Sequence, residues 1–143
     1  REIVERFLDA AFVRFDIEEA AALVSVDFVA HPWAAFGIAP GPAGLAAILP
    51  AFARAFSAVR AEVIDVLADG ERIAARYRYS GRHEGPLFGI APTGHAFAID
   101  GIAILRVDES GRIAEFWREE DMLGLQRQLG LDSMLPEHHV QAA

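Results

Sequence analysis

The chain has 143 residues, 53% of them hydrophobic, and a formal net charge of −8. This length and apolar content predict one globular domain with its own core and exclude a disordered chain. The negative charge argues against a nucleic-acid partner, because phosphate binding needs a basic surface. No cysteine is present, which excludes disulfides and thiolate chemistry and favours a cytoplasmic location. No apolar run is long enough to span a bilayer, so we expect no membrane partner.

The first third of the chain predicts helices and one short extended segment. Residues 2–15 place apolar side chains near the helical period. Asp16 is a candidate N-cap for a second short helix, because Glu19 follows it at the spacing of a capping box. Residues 27–33 look extended. A third helix is expected over residues 44–56.

Pro50 interrupts the pattern of the third helix. Proline has no backbone N–H to donate and its ring crowds the preceding turn. We therefore expect the helix to kink or restart at Pro50.

The second half of the chain changes to a period of two, which is typical of strands. Strands are expected over residues 61–68, 73–80, 97–107 and 113–121, with a short closing helix over 123–129. Asp69-Gly70 is a hairpin signal between the first two strands. Helices followed by long antiparallel strands predict an α+β fold. A curved sheet folded over helices would leave a cone-shaped cavity lined with carbon, which is a usual ligand site.

Short motifs in the second half occur in a distinctive order and spacing. They are Gly81-Arg82-His83-Glu84-Gly85, Pro92-Thr93-Gly94, Glu115-Phe116-Trp117 and Gln128-Leu129-Gly130. Together with the upstream His31-Pro32 and the helix over 44–56, they resemble the SnoaL-like polyketide cyclase, or ester cyclase, family of the nuclear transport factor 2-like superfamily. The resemblance covers most of the chain.

The resemblance implies a cone-shaped, curved and mostly antiparallel sheet wrapped by N-terminal helices, with a cystatin-like topology. It implies one domain over residues 1–135 and a C-terminal tail over 136–143, no cofactor, and a homodimer or higher homo-oligomer. The implied activity is a lyase or isomerase reaction without a cofactor, an intramolecular aldol closure or a related isomerisation of a small hydrophobic carbonyl compound. No metal site is expected, because His138 and His139 lie in the tail and no histidine–carboxylate spacing resembles a site.

Two residues are candidates for catalysis. An aldol closure needs a base that removes a proton from carbon beside a carbonyl, and donors for the oxyanion that forms. Asp121 matches the position of the catalytic aspartate in the cyclases, and the alternative is that it caps the helix beginning at Met122. His83 lies between two glycines and could turn its ring into the cavity. The alternative is a loop histidine that binds backbone.

Further residues are candidates for substrate binding, namely His31, Trp33, Tyr77, Phe97, Asp100 and Trp117. For the aromatic residues a place in the core is the favoured alternative, and for His31 it is a surface or structural role. Asp100 alternates with Ile102 and Ile104, which suggests either a pocket carboxylate or a salt bridge.

Two other functions stay open. An epoxide-hydrolase-like enzyme would need two acids and a bridging arginine around one water, drawn from Asp100, Asp121 and either Arg78 or Arg106. A non-catalytic protein that binds a small apolar molecule is the other alternative. It is favoured slightly by Phe116, because the family often has a histidine at that position.

Overall fold

The N-terminal helices form one layer of the fold in the computed structural model, which describes residues 1–31 and 33–131. Four α-helices lie in these ranges: α1 Glu2–Leu8, α2 Ile17–Leu23, α3 Pro42–Ala55 and α4 Met122–Gln128. A π-helical turn, Asp9–Val13, continues α1, and a 3-10 turn, Trp33–Phe36, precedes α3. In the described ranges, none of the helices is long and apolar enough to cross a membrane.

Two local predictions for the helices can be compared with the structure. Asp16 caps α2 as predicted, since its Oδ1 accepts a hydrogen bond from the Glu19 N–H at 3.0 Å. Helix α3 passes through Pro50 without a break, so the expected restart is wrong. Leu45 and Leu49 are fully buried and anchor the helix just before the proline, and this packing outweighs the missing hydrogen bond.

The second layer is a curved five-stranded sheet with the order β1-β5-β4-β3-β2. Its strands are β1 Val24–His31, β2 Phe56–Asp69, β3 Arg72–His83, β4 Ala96–Val107 and β5 Ile113–Glu120. Strands β2 to β5 pair antiparallel, and β1 pairs parallel with β5. The α+β class is confirmed. The sheet is mixed, because the extended segment expected over 27–33 is a full strand that joins the sheet at its edge.

Side-chain alternation gives the sheet two different faces. The inner face packs on the helices and carries the buried Tyr77 and Tyr79 of β3. The outer face carries Arg76 and Arg78, which are exposed and paired with carboxylates. Tyrosines and arginines alternate along β3, as the period of two expected over residues 73–80 requires. On the inner face, Phe7 of α1 packs edge-on against Phe116 of β5, which lies in the centre of the core.

A bulge in β2 between Val63 and Asp65 changes the face of the residues that follow. Val63 is buried, whereas Leu67 is 75% exposed. The period of two expected over residues 61–68 would place both side chains on one face, and Leu67 departs from it.

Candidate functional site

A cavity of about 640 Å³ lies between the inner face of the sheet and α3. Its wall is largely aromatic and includes Phe12, Trp33, Phe52, Phe56, Tyr79 and Phe97. A cavity of this size and lining is typical of a small-molecule site.

Exposed apolar side chains surround the opening of this cavity. Phe36 in the 3-10 turn is 80% exposed and Phe88 in the loop after β3 is 65% exposed, yet both line the cavity. The ring of Phe88 packs edge-on against Phe52 of α3. Met122 at the start of α4 is a third apolar lining residue with substantial exposure. Such an opening suits an apolar ligand.

Glu119 of β5 lines the cavity but is exposed, whereas its two charged neighbours, Arg118 and Glu120, are largely buried. They lie two residues apart and therefore share the inner face. Their side chains are only 17% and 11% exposed, and Arg118 Nε lies 3.6 Å from Glu120 Oε2. The guanidinium of Arg118 also lies 4.6 Å from the ring centroid of Phe12 and 5.7 Å from that of Trp33, which are attractive cation–π contacts.

The Glu120 carboxylate is held by a hydrogen bond that crosses strand β4. The Tyr77 hydroxyl donates to Glu120 Oε1 at 2.8 Å, and the residue between them in the sheet register is Gly101. A Cβ at Gly101 would lie 2.7 Å from the Tyr77 hydroxyl oxygen and 2.8 Å from Glu120 Cγ. Glycine therefore leaves the gap through which the two side chains meet.

The Tyr77 phenol keeps its proton in this position. Burial, and after it the charge of Glu120, raises the pKa of Tyr77 well above its usual range. Tyr77 therefore acts as a permanent donor to the Glu120 carboxylate.

Asp121, the predicted catalytic base, lies at the start of α4 and is exposed. Its Oδ1 accepts a hydrogen bond from the Gly124 N–H at 2.8 Å, so it caps this helix. The neighbours Glu120 and Met122 line the cavity, but Asp121 does not. The capping role read from the sequence is present, and the catalytic role stays a prediction.

His83, the second catalytic candidate, is fully buried behind the cavity wall. Its ring packs against Phe56, which lines the cavity, whereas His83 itself does not. The Thr93 N–H donates to His83 Nδ1 at 3.2 Å, and Thr93 Oγ1 lies 3.1 Å from the same nitrogen. Burial lowers the pKa of His83, which favours the neutral ring.

The predicted substrate-binding residues divide between the two faces of the sheet. Trp33 and Phe97 line the cavity directly. Tyr77 reaches the cavity only through Glu120.

His31, Trp117 and Asp100 lie on the outer face, away from the cavity. The His31 ring stacks on Trp117 with centroids 5.0 Å apart, and its Nε2 lies 3.3 Å from Glu115 Oε2. Arg78 donates to Asp100 at 2.8 Å, and this hydrogen bond lowers the pKa of Asp100. The structure therefore does not bring these three residues to the site.

The acids and arginines considered for an epoxide hydrolase do not surround one water site either. Arg78 and Asp100 pair with each other on the outer face, and Arg106 pairs with Glu115. Within residues 1–31 and 33–131, no group of three histidines and carboxylates is arranged to hold a metal. His138, His139 and the proposed tail over 136–143 lie outside the described residues.

Sequence reasoning singled out neither Glu120 nor Arg118, because charged residues in a strand are by default solvated. The regular alternation of β5 places Phe116, Arg118 and Glu120 together on the inner face and Trp117 on the outer face. The alternation of β5 could therefore have revealed Arg118 and Glu120. Taking Trp117 as an inward residue placed the wrong set of alternating residues on the inner face.

The fold and cavity define an α+β protein in which a curved sheet encloses an apolar cavity. Residues 2–129 match the model of the SnoaL-like polyketide cyclases, and the chain belongs to this family. Family and fold together support a function of the cyclase or isomerase type. None of the curated proteins matches the sequence.

Solved structures give the same fold. TsrD from Streptomyces laurentii is 29% identical, with 90% of this chain and 92% of that chain covered and a TM-score of 0.79. IdmH from Streptomyces antibioticus, described as a candidate polyketide cyclase, is 28% identical over 91% of this chain and 97% of that chain, with a TM-score of 0.73. A SnoaL-like protein from Jannaschia sp. CCS1, at 18% identity over 94% of this chain and 92% of that chain and a TM-score of 0.75, supports the fold alone.

Proposed function

We propose that the protein is an enzyme that needs no cofactor and closes a ring in, or isomerises, a small hydrophobic carbonyl compound by acid/base chemistry. The observation that carries the proposal is the Glu120 carboxylate, which is 11% exposed at the wall of an apolar cavity of about 640 Å³. Trp33 and Phe97 would contact the substrate. We place the protein in the cytoplasm because it has no cysteine.

In the proposed reaction, the Glu120 carboxylate removes a proton from the carbon beside a substrate carbonyl, and the electron pair of the broken C–H bond forms an enolate. The enolate carbon attacks a second carbonyl of the same molecule and closes the ring. The alkoxide that results takes the proton back from the Glu120 carboxylic acid. In an isomerisation the proton returns to a different carbon instead. The apolar wall favours the folded substrate conformer that such a closure needs.

Asp121 is the competing candidate for the base, on the strength of the family resemblance. Its exposure and its helix cap favour Glu120, since a base must reach the C–H bond of a molecule held in the cavity.

The proposal is tested by proton exchange, which needs no knowledge of the natural substrate. We expect the protein to accelerate the exchange of deuterium from D₂O into the carbon beside the carbonyl of an apolar ketone such as 2-tetralone, followed by NMR. A panel of apolar ketones that bind in the cavity and exchange no faster than in buffer would contradict the proposal. That outcome would favour a non-catalytic binding protein.

We also propose that the outer face of the sheet pairs with a second copy of the chain. One row of the register crosses all five strands and contains Leu67, Ala74, Ile104, Trp117 and His31. Leu67 and Ile104 are exposed. Positive and negative side chains both lie beside this row, in the pairs of Arg76 with Asp65 and of Arg78 with Asp100. The face can therefore match a second copy of itself, as a two-fold dimer requires.

If the outer face forms a dimer, one substitution on it should lower the molar mass of the protein in solution. Ile104→Arg places a charge in the centre of the row, and we expect it to give a monomer at micromolar concentration by light scattering, whereas the wild-type protein gives a dimer. Phe36→Arg, at the cavity opening, is the matched control and should stay dimeric. A wild-type monomer, or an Ile104→Arg dimer, would refute this arrangement.

A further inference from the structure

Arg118 is a largely buried cation with few partners. Its side chain is 17% exposed, and its nearest carboxylate contact, to Glu120, is 3.6 Å long, which is beyond hydrogen-bond distance. Within residues 1–31 and 33–131, no protein acceptor forms a hydrogen bond with its guanidinium, although the rings of Phe12 and Trp33 lie close to it.

The five N–H donors of a guanidinium point outward in its plane, and cation–π contacts leave them unused. Because Arg118 lines the cavity, these donors are available to an oxygen atom of a molecule bound there.

The two tyrosine hydroxyls near Glu120 are already occupied. The Tyr77 hydroxyl donates to Glu120, and the Tyr79 hydroxyl donates to the Phe12 carbonyl at 2.9 Å. Arg118 is also the one cation among the described residues that line the cavity. A negative charge that develops on a bound substrate therefore has Arg118 as its stabilising partner.

We propose that Arg118 is a catalytic residue that binds the substrate carbonyl oxygen and stabilises the enolate formed there, a role that rests on the proposed function. When the C–H bond breaks, the proton bonds to Glu120, the electron pair forms a C=C bond, and the carbonyl oxygen takes the negative charge. The charge thus moves from Glu120 to the oxygen while Arg118 stays beside both. The site keeps the same net charge throughout, and a fixed cation in an apolar site stabilises the enolate strongly.

This arrangement specifies the substrate class. The molecule needs an apolar body that fills the aromatic cavity and an enolisable ketone or acyl group whose oxygen reaches Arg118 while its neighbouring C–H bond reaches Glu120. Neither a simple hydrocarbon nor a molecule charged along its body satisfies both requirements.

The test uses 2-naphthol, whose phenolate has the shape and charge of a bicyclic enolate. In the Glu120→Gln variant, which imitates the protonated base, we expect bound 2-naphthol to ionise about one to three pH units below the free compound, because Arg118 stabilises the anion. The absorbance of the naphtholate reports the ionisation. Adding Arg118→Met should remove the shift, since methionine packs on the same rings without a charge.

The controls separate charge from packing. Arg6→Met, on the exposed side of α1, should leave the shift in Glu120→Gln unchanged. Arg118→Lys should keep a large part of it, which provides a second comparison if Arg118→Met does not fold by circular dichroism.

Three results would overturn the role of Arg118: an unshifted ionisation in Glu120→Gln, the same shift after Arg118→Met, or no binding of 2-naphthol. The binding experiment involves no turnover, so it is distinct from a failure of the proposed function. That failure would show as ketone exchange that persists unchanged in Glu120→Gln.

Discussion

Replacing Glu120 with glutamine is expected to lower the rate of deuterium exchange into an apolar ketone by about 10²- to 10⁴-fold, the usual effect of losing a general base. Glutamine has the same shape, and its amide oxygen can still accept the hydrogen bond from Tyr77. The fold and the affinity for the ketone should therefore change little, while the proton acceptor is lost. Exchange rates by NMR and ligand binding by titration measure the two quantities separately.

Asp121→Asn is the matched control for this variant. Asparagine is as good an N-cap as aspartate, so the hydrogen bond from the Gly124 N–H should survive and exchange should stay near the wild-type rate. The family resemblance predicts the opposite result, with turnover lost in Asp121→Asn. If Asp121→Asn is inactive and Glu120→Gln is active, Asp121 is the base and our assignment of Glu120 is wrong.

The features of the fold that could be predicted from the sequence are those that depend on local patterns. The N-cap at Asp16 and the alternation of Tyr77 and Tyr79 with arginines depend on near neighbours in sequence, and the structure confirms both. The parallel pairing of β1 with β5 joins residues far apart in the chain, and nothing within β1 specifies its partner. The bulge after Val63 inserts one residue and reverses a face that simple alternation assigns.

The site was less predictable from the sequence. Alternation divides the residues of a strand between two faces, but it does not say which face is buried until the position of one residue is known. Trp33 and Phe97 could be placed at the cavity because large apolar side chains usually face inward. The same rule misplaced Trp117, which lies on the outer face against His31. Arg118 was read as solvated because charged residues in strands usually are, and Glu120 was not singled out at all. Their burial depends on the shape of the whole sheet.

Substituting Gly101 is expected to have a large effect on both stability and activity, because there is no room for a side chain at this position. Alanine at this position would put its Cβ 2.7 Å from the Tyr77 hydroxyl and 2.8 Å from Glu120 Cγ. Real structures do not tolerate such contacts, so one of the two side chains must move, and we expect their hydrogen bond to break. We expect Gly101→Ala to lower the free energy of unfolding by about 1–3 kcal/mol. Ketone exchange should fall by about 100-fold, since misplacing a catalytic group by about 1 Å has that effect.

Tyr77→Phe distinguishes the steric effect from the loss of positioning. It removes the hydroxyl that donates to Glu120 without crowding β4, so the unfolding free energy should fall by about 1.5–3 kcal/mol, the usual value of a hydrogen bond to a charged group. Exchange should still fall, mainly through kcat, because the carboxylate is no longer fixed while the cavity stays intact. Denaturant unfolding and exchange kinetics on both variants measure these effects. If Gly101→Ala loses stability but both variants exchange at the wild-type rate, the hydrogen bond from Tyr77 serves only the fold, and Glu120 needs no fixed orientation to act.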